Sequence, residues 1–198
     1  QDGNDCLVDT VDVLTPPDIP VLFLGDDLNI NLGCDIEIPT STNNTNLIDI
    51  QWTNGATLDC DTCLRPVASP LIDRTQYILT VISEDTCSTT DTIVVNVLKR
   101  NRNVFVPNAF SPNGDGINDY LFVNANKTVT SIQTFQILNR WGELVFAADD
   151  FLPNDYQLGW DGQLKGKDVR PGVYVWYMEV LYVDGLVESM TGDITVVK

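Results

Sequence analysis

The chain is a succession of short apolar runs, each closed by Gly, Asn, Asp or Pro, and that punctuation limits what it can fold into. Short runs stopped by turn residues read as strands rather than helices. In the first half they predict strands at Val21–Leu24, Leu28–Leu32, Ile36–Ile38, Leu47–Trp52, Gln76–Ile82 and Thr92–Leu98. In the second half they predict strands at Asn103–Val106, Tyr120–Val123, Ser131–Leu138, Glu143–Phe146, Val173–Val183 and Leu186–Val197. Thr92–Val97 and Asn29–Leu32 alternate with period two, as half-buried strands do. No segment carries a helical repeat. The expected fold is all-β, built as two tandem antiparallel β-sandwich modules. Trp52, on a central strand, and Tyr77 are expected to fill the first core. Asp184-Gly185 is a type I′ hairpin signal between the last two strands.

Composition points to the same class. The chain holds 23 Asp against 5 Glu, and Asp prefers turns and caps where Glu favours helix. The net charge of −17 argues against nucleic-acid and anionic-membrane partners, which call for basic patches. No apolar run approaches the roughly 18–20 residues of a membrane-spanning helix. Histidine is absent, which removes Ser-His-Asp and Cys-His catalysis, His-ligated zinc and histidine bases. Nothing singles out a carboxylate pair among so many acids, so the chain is expected not to be an enzyme, with no catalytic residues. The charge is uneven: residues 1–99 carry net −13 and residues 100–198 net −4. The step falls at Lys99-Arg100-Asn101-Arg102-Asn103, which predicts a linker over 99–103 between modules at 15–98 and 104–198.

The five cysteines, Cys6, Cys34, Cys60, Cys63 and Cys87, all precede that linker. Cys60 and Cys63 have CxxC spacing, but neither a βαβ setting nor a second metal-ligand pair accompanies them. They are expected to close a small disulfide loop, with Cys34–Cys87 as a second bridge joining an early strand to a late one. Cysteines in an acidic β chain fit an oxidising, extracytoplasmic compartment. The segment from Cys6 to Val13 repeats the pattern from Cys87 to Val97, a Cys, a short spacer, Asp-Thr and then alternating Val or Ile. Residues 1–14 are therefore expected to be the last strand of a preceding repeat, with Cys6 bonded upstream and the chain ending a longer, repetitive protein.

Several turns could carry chemistry. Ser111-Pro112-Asn113-Gly114-Asp115-Gly116-Ile117-Asn118-Asp119 has part of a calcium loop's spacing, with Asn113, Asp115 and Asp119 as ligands and Gly116 at the sharp turn. The position that should hold a bidentate Glu is Phe122, and a glycine turn held by Asx hydrogen bonds explains the same residues. No cofactor is otherwise expected. Asn139-Arg140-Trp141-Gly142 joins two strands, with Arg140 placed to stack on an aromatic and Gly142 to take a positive φ. Trp160-Asp161-Gly162, Gly166-Lys167-Asp168 and Arg170-Pro171-Gly172 read as turns before the long strand. Asn43-Asn44-Thr45 and Asn126-Lys127-Thr128 match the glycosylation sequon, a low-specificity pattern.

In this order, these turns resemble a known family. The run from Val106 through Pro107, Asn108, Ala109, Phe110, Ser111, Pro112, Asn113, Gly114, Asp115, Gly116, Ile117 and Asn118 to Asp119 is similar to the opening signature of the type B C-terminal sorting domain. This is the gliding-motility-associated, CHU_C-like domain of the Bacteroidetes type IX secretion system. Phe135 to Phe146, containing Asn139, Arg140, Trp141 and Gly142, resembles its central segment. Trp160, Asp161 and Gly162 resemble its WDG turn, and Pro171, Gly172 and Tyr174 its PxGxY step. Gly192 to Lys198 resembles its closing strand, ending on a basic residue. Residues 15–98 are similar, more broadly, to the PKD and immunoglobulin-like repeats of such secreted proteins, which implies an immunoglobulin-like sandwich.

The resemblance implies a non-catalytic secretion signal at the end of a large cell-surface adhesin. The signal would be carried across the outer membrane and displayed on the cell surface. The implied partners are the type IX translocon, a PorP/SprF-like outer-membrane β-barrel and upstream repeats of the same chain, with the immunoglobulin-like repeat as a spacer. The docking anchors are expected in the Pro107–Asp119 loop, Asn139–Gly142 and Trp160–Gly162, exposed on turns, and a free terminal strand would offer sheet augmentation. The alternative is a carbohydrate- or surface-binding adhesin module.

Overall fold

The computed structural model describes residues 19–43 and 46–197. The described residues form strands, three short 3-10 turns (Gly55–Thr57, Lys99–Asn101 and Tyr156–Leu158) and no α-helix, so the chain is all-β. Buried apolar side chains gather in two clusters, one drawn almost wholly from each half.

In the N-terminal half the strands are β1 (Leu22–Phe23), β2 (Leu28–Asn31), β3 (Ile36–Glu37), β4 (Ser41–Thr42), β5 (Leu47–Trp52), β6 (Val67–Ala68), β7 (Arg74–Ser83) and β8 (Ser88–Leu98). The main sheet has the order β2-β8-β7-β5, and the pairs β1-β4 and β3-β6 complete the half. β7 alternates almost perfectly, burying Thr75, Tyr77, Leu79, Val81 and Ser83. That period of two points one row of side chains at Leu24, Ile38, Ile93 and Val95 in the shared core. Trp52 and Tyr77 are buried as expected, but Trp52 lies on β5, an edge strand of the sheet rather than a central one. Trp52 Nε1 donates to the Cys63 carbonyl at 2.8 Å, and the Tyr77 hydroxyl meets Thr57 Oγ1 at 2.6 Å.

Cys60 and Cys63 are bonded, with Cα atoms 5.6 Å apart. The expected Cys34–Cys87 bridge is absent, and both thiols are free. The reason is strand direction. β2 runs parallel to β8, with Asn31 opposite Leu98, so Cys34 lies beyond the C-terminal end of β8. Cys87 precedes its N-terminal end. The 11 residues of β8, at about 3.3 Å each, hold the two cysteines tens of ångströms apart, where a bridge needs Cα atoms within about 7 Å. Cys6 lies outside the described residues.

In the C-terminal half the strands are β9 (Val104–Phe105), β10 (Ala109–Phe110), β11 (Asn124–Ala125), β12 (Val129–Leu138), β13 (Leu144–Phe151), β14 (Gln163–Leu164), β15 (Lys167–Asp168), β16 (Gly172–Tyr182) and β17 (Val187–Val196). A five-stranded sheet with order β10-β17-β16-β12-β13 carries the half, flanked by the pairs β9-β11 and β14-β15. β16 buries Tyr174, Trp176, Met178, Val180 and Tyr182 on one face. On β12 the buried residues are Val129, Ile132, Phe135 and Ile137, and the two register shifts at Val129/Ser131 and Ile132/Thr134 explain the three-residue steps. The Tyr120–Val123 segment pairs only through an isolated bridge from Leu121 to Trp160.

Two turn expectations change. Asp184-Gly185 does not make a two-residue type I′ turn: Tyr182 N–H donates to Leu186 O across a three-residue loop, and Gly185 alone has positive φ. The type I′ geometry instead appears between β14 and β15, where Lys165 and Gly166 both have positive φ (53° and 73°). The end of the terminal strand β17 is covered, because the two-residue β10 pairs parallel to it at Thr195 and Val196.

A polar clasp joins the halves. Lys99 Nζ stands 2.7 Å from Asp73 and 3.2 Å from Asp184, and Arg102 donates to Asp184 at 2.5 Å. The Arg102 guanidinium also lies 5.0 Å from the centre of the Tyr182 ring, and Val183 packs against the first core. Lys99 and Asp73 come from the N-terminal half, and Asp184 sits in the β16–β17 turn.

Candidate functional site

The motif residues separate into an inner set that builds the C-terminal half and an outer set that faces solvent. The inner set centres on Trp160, which is fully buried. Leu121 and Trp160 exchange both backbone hydrogen bonds at 2.8 Å, fixing the indole under the sheet. Its Nε1 donates to the Gln163 carbonyl at 3.0 Å, so the buried N–H is satisfied. Phe110 and Tyr174 flank it with ring centres 5.3 and 5.4 Å away. Asp161 accepts from Gln163 N–H at 2.9 Å and shapes the turn. Gly162 has φ +74°, and a Cβ there would lie 2.6 Å from Pro112 Cγ. Pro112 and Phe110 therefore pack directly on the glycine. Trp160 and Gly162 are buried, which corrects the expectation that this turn offers exposed anchors.

The opening loop is a network of side-chain-to-backbone bonds. Asp119 accepts from Gly114 N–H and Gly116 N–H, both at 2.7 Å, and from Asn113 N–H at 3.0 Å. Asn113 accepts from Asp115 N–H, and Asp115 from Ile117 N–H. Asn118, at φ 55°, returns its carbonyl to Ser111 N–H, and the Asn108 carbonyl accepts from Thr195 N–H. Pro107 lines a shallow concavity of about 390 Å³ with Tyr120, Phe122 and Tyr156. The side-chain oxygens counted as calcium ligands thus each accept a backbone N–H, and no metal-holding group of three or more His, Cys, Asp or Glu occurs among the described residues. The Asx-turn explanation of the loop fits this geometry.

Those bonds, from Gly114 and Gly116 foremost, hold the Asp119 carboxyl below its ordinary value of 3.8. A carboxyl whose folded value is depressed contributes order above its unfolded value and loses it as pH falls through the folded one. Amide resonances of Gly114 and Gly116 are expected to stay in place down to about pH 4 and to shift together below it. An Asp119→Asn variant should show shifted resonances at every pH. Movement of the two amides above pH 5 in the unsubstituted chain would contradict this reading.

The outer set gathers around the β12–β13 turn. The β12–β13 turn is tied by Asn139, whose side-chain oxygen accepts from Trp141 N–H (2.9 Å) and Glu143 N–H (3.0 Å). Gly142 takes the positive φ (79°) that closes it. This presents Trp141 almost bare, 85% exposed, while Trp52, Trp160 and Trp176 are buried. Arg140 does not stack on Trp141. Its guanidinium stands 3.5 Å from where a Cβ of Gly172 would lie. Between this turn and the segment 164–174 runs a groove of about 500 Å³. Its walls include Arg140, Trp141, Lys167, Arg170, Pro171 and Tyr174. The Tyr174 hydroxyl donates to the Arg170 carbonyl at 2.8 Å. Burial raises that phenol's pKa, opposed by the nearby Arg140 and Arg170 charges.

The central segment and the PxGxY step therefore converge on one groove, while the opening loop and the WDG turn converge on Gly162. Lys198 lies outside the described residues. Sequence reasoning missed Lys167 and Arg170 as groove residues. Lys165, Lys167 and Arg170 fall within six residues of an acidic chain, and that local inversion of charge was the available signal. In the Asn126-Lys127-Thr128 sequon, the Asn126 side chain accepts from Thr128 N–H and Oγ1, an Asx turn. Asn44 and Thr45 of the other sequon are outside the described residues.

No curated protein matches the sequence. Among solved structures the chain is similar to the D00-D0 domain of intimin, at 12% identity and TM-score 0.35, covering 91% of this chain and 100% of that one. It is similar to the Sidekick-1 immunoglobulin domains 1–5, at 10% identity and TM-score 0.43, covering 90% and 39%. It is also similar to dimeric latent PorU from Porphyromonas gingivalis, at 14% identity and TM-score 0.33, covering 90% and 20%. Residues 104–196, the segment that holds both motif clusters, match the CHU_C Type IX secretion signal domain, which supports a secretion-signal role for the C-terminal half.

Proposed function

We propose that residues 104–198 are the C-terminal sorting signal of a surface adhesin exported by the type IX secretion system. The signal is recognised at the outer membrane through a PorP/SprF-like β-barrel, and the protein it carries is displayed on the cell surface. Residues 15–98 act as an acidic spacer, joined to the signal through 99–103. The observation that carries this reading is the family match over residues 104–196. The division of motif residues agrees with it: a signal read as a folded object needs residues that hold a surface and residues that are that surface.

The test is export of a fluorescent cargo that carries a periplasmic signal peptide and is fused ahead of the full chain, in a type IX-competent cell. Cargo should reach the outside with the full chain and stay periplasmic when the chain stops at residue 103. Removing the barrel should retain the full-chain cargo as well. Export of the truncated form would sink the reading.

A further inference from the structure

We propose that the groove between the β12–β13 turn and segment 164–174 is a recognition cleft for an acidic protein segment, its carboxylates paired with Arg140, Lys167 and Arg170 and its apolar side chains laid on Trp141. This inference rests on the secretion-signal reading and names the surface and the chemistry of its partner.

Charge is the first observation. The chain carries net −17, yet three cations line this one groove and Lys165 stands in the adjoining turn. Among the described residues the salt bridges engage Arg65, Lys99 and Arg102, and none of these four cations. The two carboxylates in the walls have partners within the fold, Glu143 with Asn139 Nδ2 at 2.9 Å and Asp168 with Gln163 Nε2 at 3.3 Å. A positive site on a negative molecule attracts an acidic partner to that site while the rest of the surface repels it, which sets orientation as well as rate.

Apolar exposure is the second observation. Trp141 is 85% exposed, and the neighbouring outer face of the sheet presents Leu144 (46%), Val173 (54%) and Val175 (49%). Leu138 lies opposite both Leu144 and Val175, so these residues continue across three adjacent strands beside the groove. Farther along the same face the pairs are polar, Gln136 with Tyr177 and Thr134 with Glu179. The face turns apolar again at its far end, where Leu181 lies opposite Val187, but the groove end joins such residues to the exposed Trp141 and three cations. Tryptophan and arginine together are the side chains that most often dominate interface energy.

Rigidity is the third. The Asn139 bonds hold one wall, and the Tyr174 hydroxyl holds the Arg170 backbone of the other. The buried Trp160 and Tyr174 rings lie behind it. A cleft that does not need ordering on binding keeps more of its contact energy. Its concave shape suits a chain segment rather than a membrane plane, and the guanidiniums are matched to carboxylates.

The experiment uses the full chain. The peptide Leu-Glu-Leu-Glu-Leu-Glu, carrying a fluorescein label, is titrated with the chain at low and at high salt and its anisotropy is followed. Export is measured for R140E/K167E/R170E, for Trp141→Ala and for the control Lys127→Glu. Both groove variants should retain thermal stability, lose peptide affinity at least tenfold and export at least tenfold less cargo. The control should behave as the unsubstituted chain. Trp141→Ala guards against misfolding of the triple variant, because so exposed a side chain can be removed without opening a core. Unchanged export of the folded groove variants would overturn the cleft and leave the secretion signal standing. Failure of the unsubstituted chain to be exported would instead defeat the secretion reading, and this inference with it. Binding to vesicles of 30% phosphatidylglycerol in phosphatidylcholine, with none to the peptide, would overturn the acidic-segment partner in favour of a lipid surface.

Discussion

Trp160→Ala is expected to lower the stability of the C-terminal half by about 4 kcal/mol, at the large end for removing one core side chain. The indole is fully buried and touches the rings of both Phe110 and Tyr174. It is also the point at which the opening loop, the WDG turn and the long strand β16 meet. Deleting it empties that junction and leaves the Gln163 carbonyl without its donor. For a unit of this size the thermal midpoint should fall by roughly 20 °C. Scanning calorimetry of the full chain should show this loss in the transition of the C-terminal half. Trp160→Phe keeps most of the apolar contact and loses the N–H, so about half the effect is expected. A midpoint within a few degrees of the unsubstituted protein would mean the indole is not the keystone of the half. Under the proposed function, the Ala variant should also lose export, through folding rather than docking.

Asp184→Ala should be the most damaging change outside a core, at about 3 kcal/mol. Its side chain is 6% exposed and faces two cations, Lys99 at 3.2 Å and Arg102 at 2.5 Å. Removing it leaves Arg102, itself 21% exposed at the side chain, partly buried and without its partner. The effect sits at the low end for a broken buried pair because Lys99 retains Asp73 and water. Burial acts to raise the Asp184 carboxyl, but Lys99 and Arg102 outweigh it and hold it below 3.8. Lys99 is raised above 10.5, mainly by its bonds to Asp73 and Asp184. The signs then fix a window. The depressed acid contributes stability above its unfolded value and loses it as pH falls through its folded one. The raised amine contributes below 10.5 and loses it as pH climbs through its folded value. The clasp is therefore expected to hold from about pH 4 to about pH 10 and to open at both extremes. Hydrogen exchange at Arg102 and Val183, whose amides flank it, should rise in Asp184→Ala at neutral pH. Exchange there no faster than in the unsubstituted chain would show that the halves are held by something else.

Strand existence was legible because its signal is local. β5 begins and ends where its apolar run does, and β7, β8, β12, β16 and β17 sit on their predicted segments with ends shifted by up to four residues. The pieces missed were two residues long: β4, β6, β10, β11, β14 and β15. Such pieces carry no period and exist only because a partner strand lies beside them. β10 mattered most, since its parallel pairing covers the end of the strand expected to be free, at Thr195 and Val196. The hairpin expectation failed for a related reason. Asp-Gly signals a tight turn, but the closing bond from Tyr182 N–H to Leu186 O leaves three residues to turn in, and the two-residue loop fell to Lys165-Gly166.

The candidate site divides the same way. The Asx loop from Asn113 to Asp119 and the positive φ of Gly142 were readable, because their hydrogen bonds reach no farther than six residues. That Trp160 is buried and Trp141 bare was not. Both tryptophans stand in glycine-containing turns of similar composition, and exposure depends on what the rest of the chain brings over each. Phe110, Pro112 and Tyr174 come from 50, 48 and 14 residues away in the sequence to cover the WDG turn, and nothing comes to cover Trp141.

By itself, then, the sequence determined the all-β class, the positions of the long strands, the CxxC disulfide and the absence of histidine chemistry. Each of these follows from composition or from contacts within a few residues. Tertiary structure alone decided that Cys34 and Cys87 lie at opposite ends of β8, that Asp184 joins the two halves, and that Arg140, Lys167 and Arg170 share a groove. The physical reason is that strand direction and order are fixed by the pairing of residues far apart in the chain, and the sequence carries that information only as the sum of all the packing it allows.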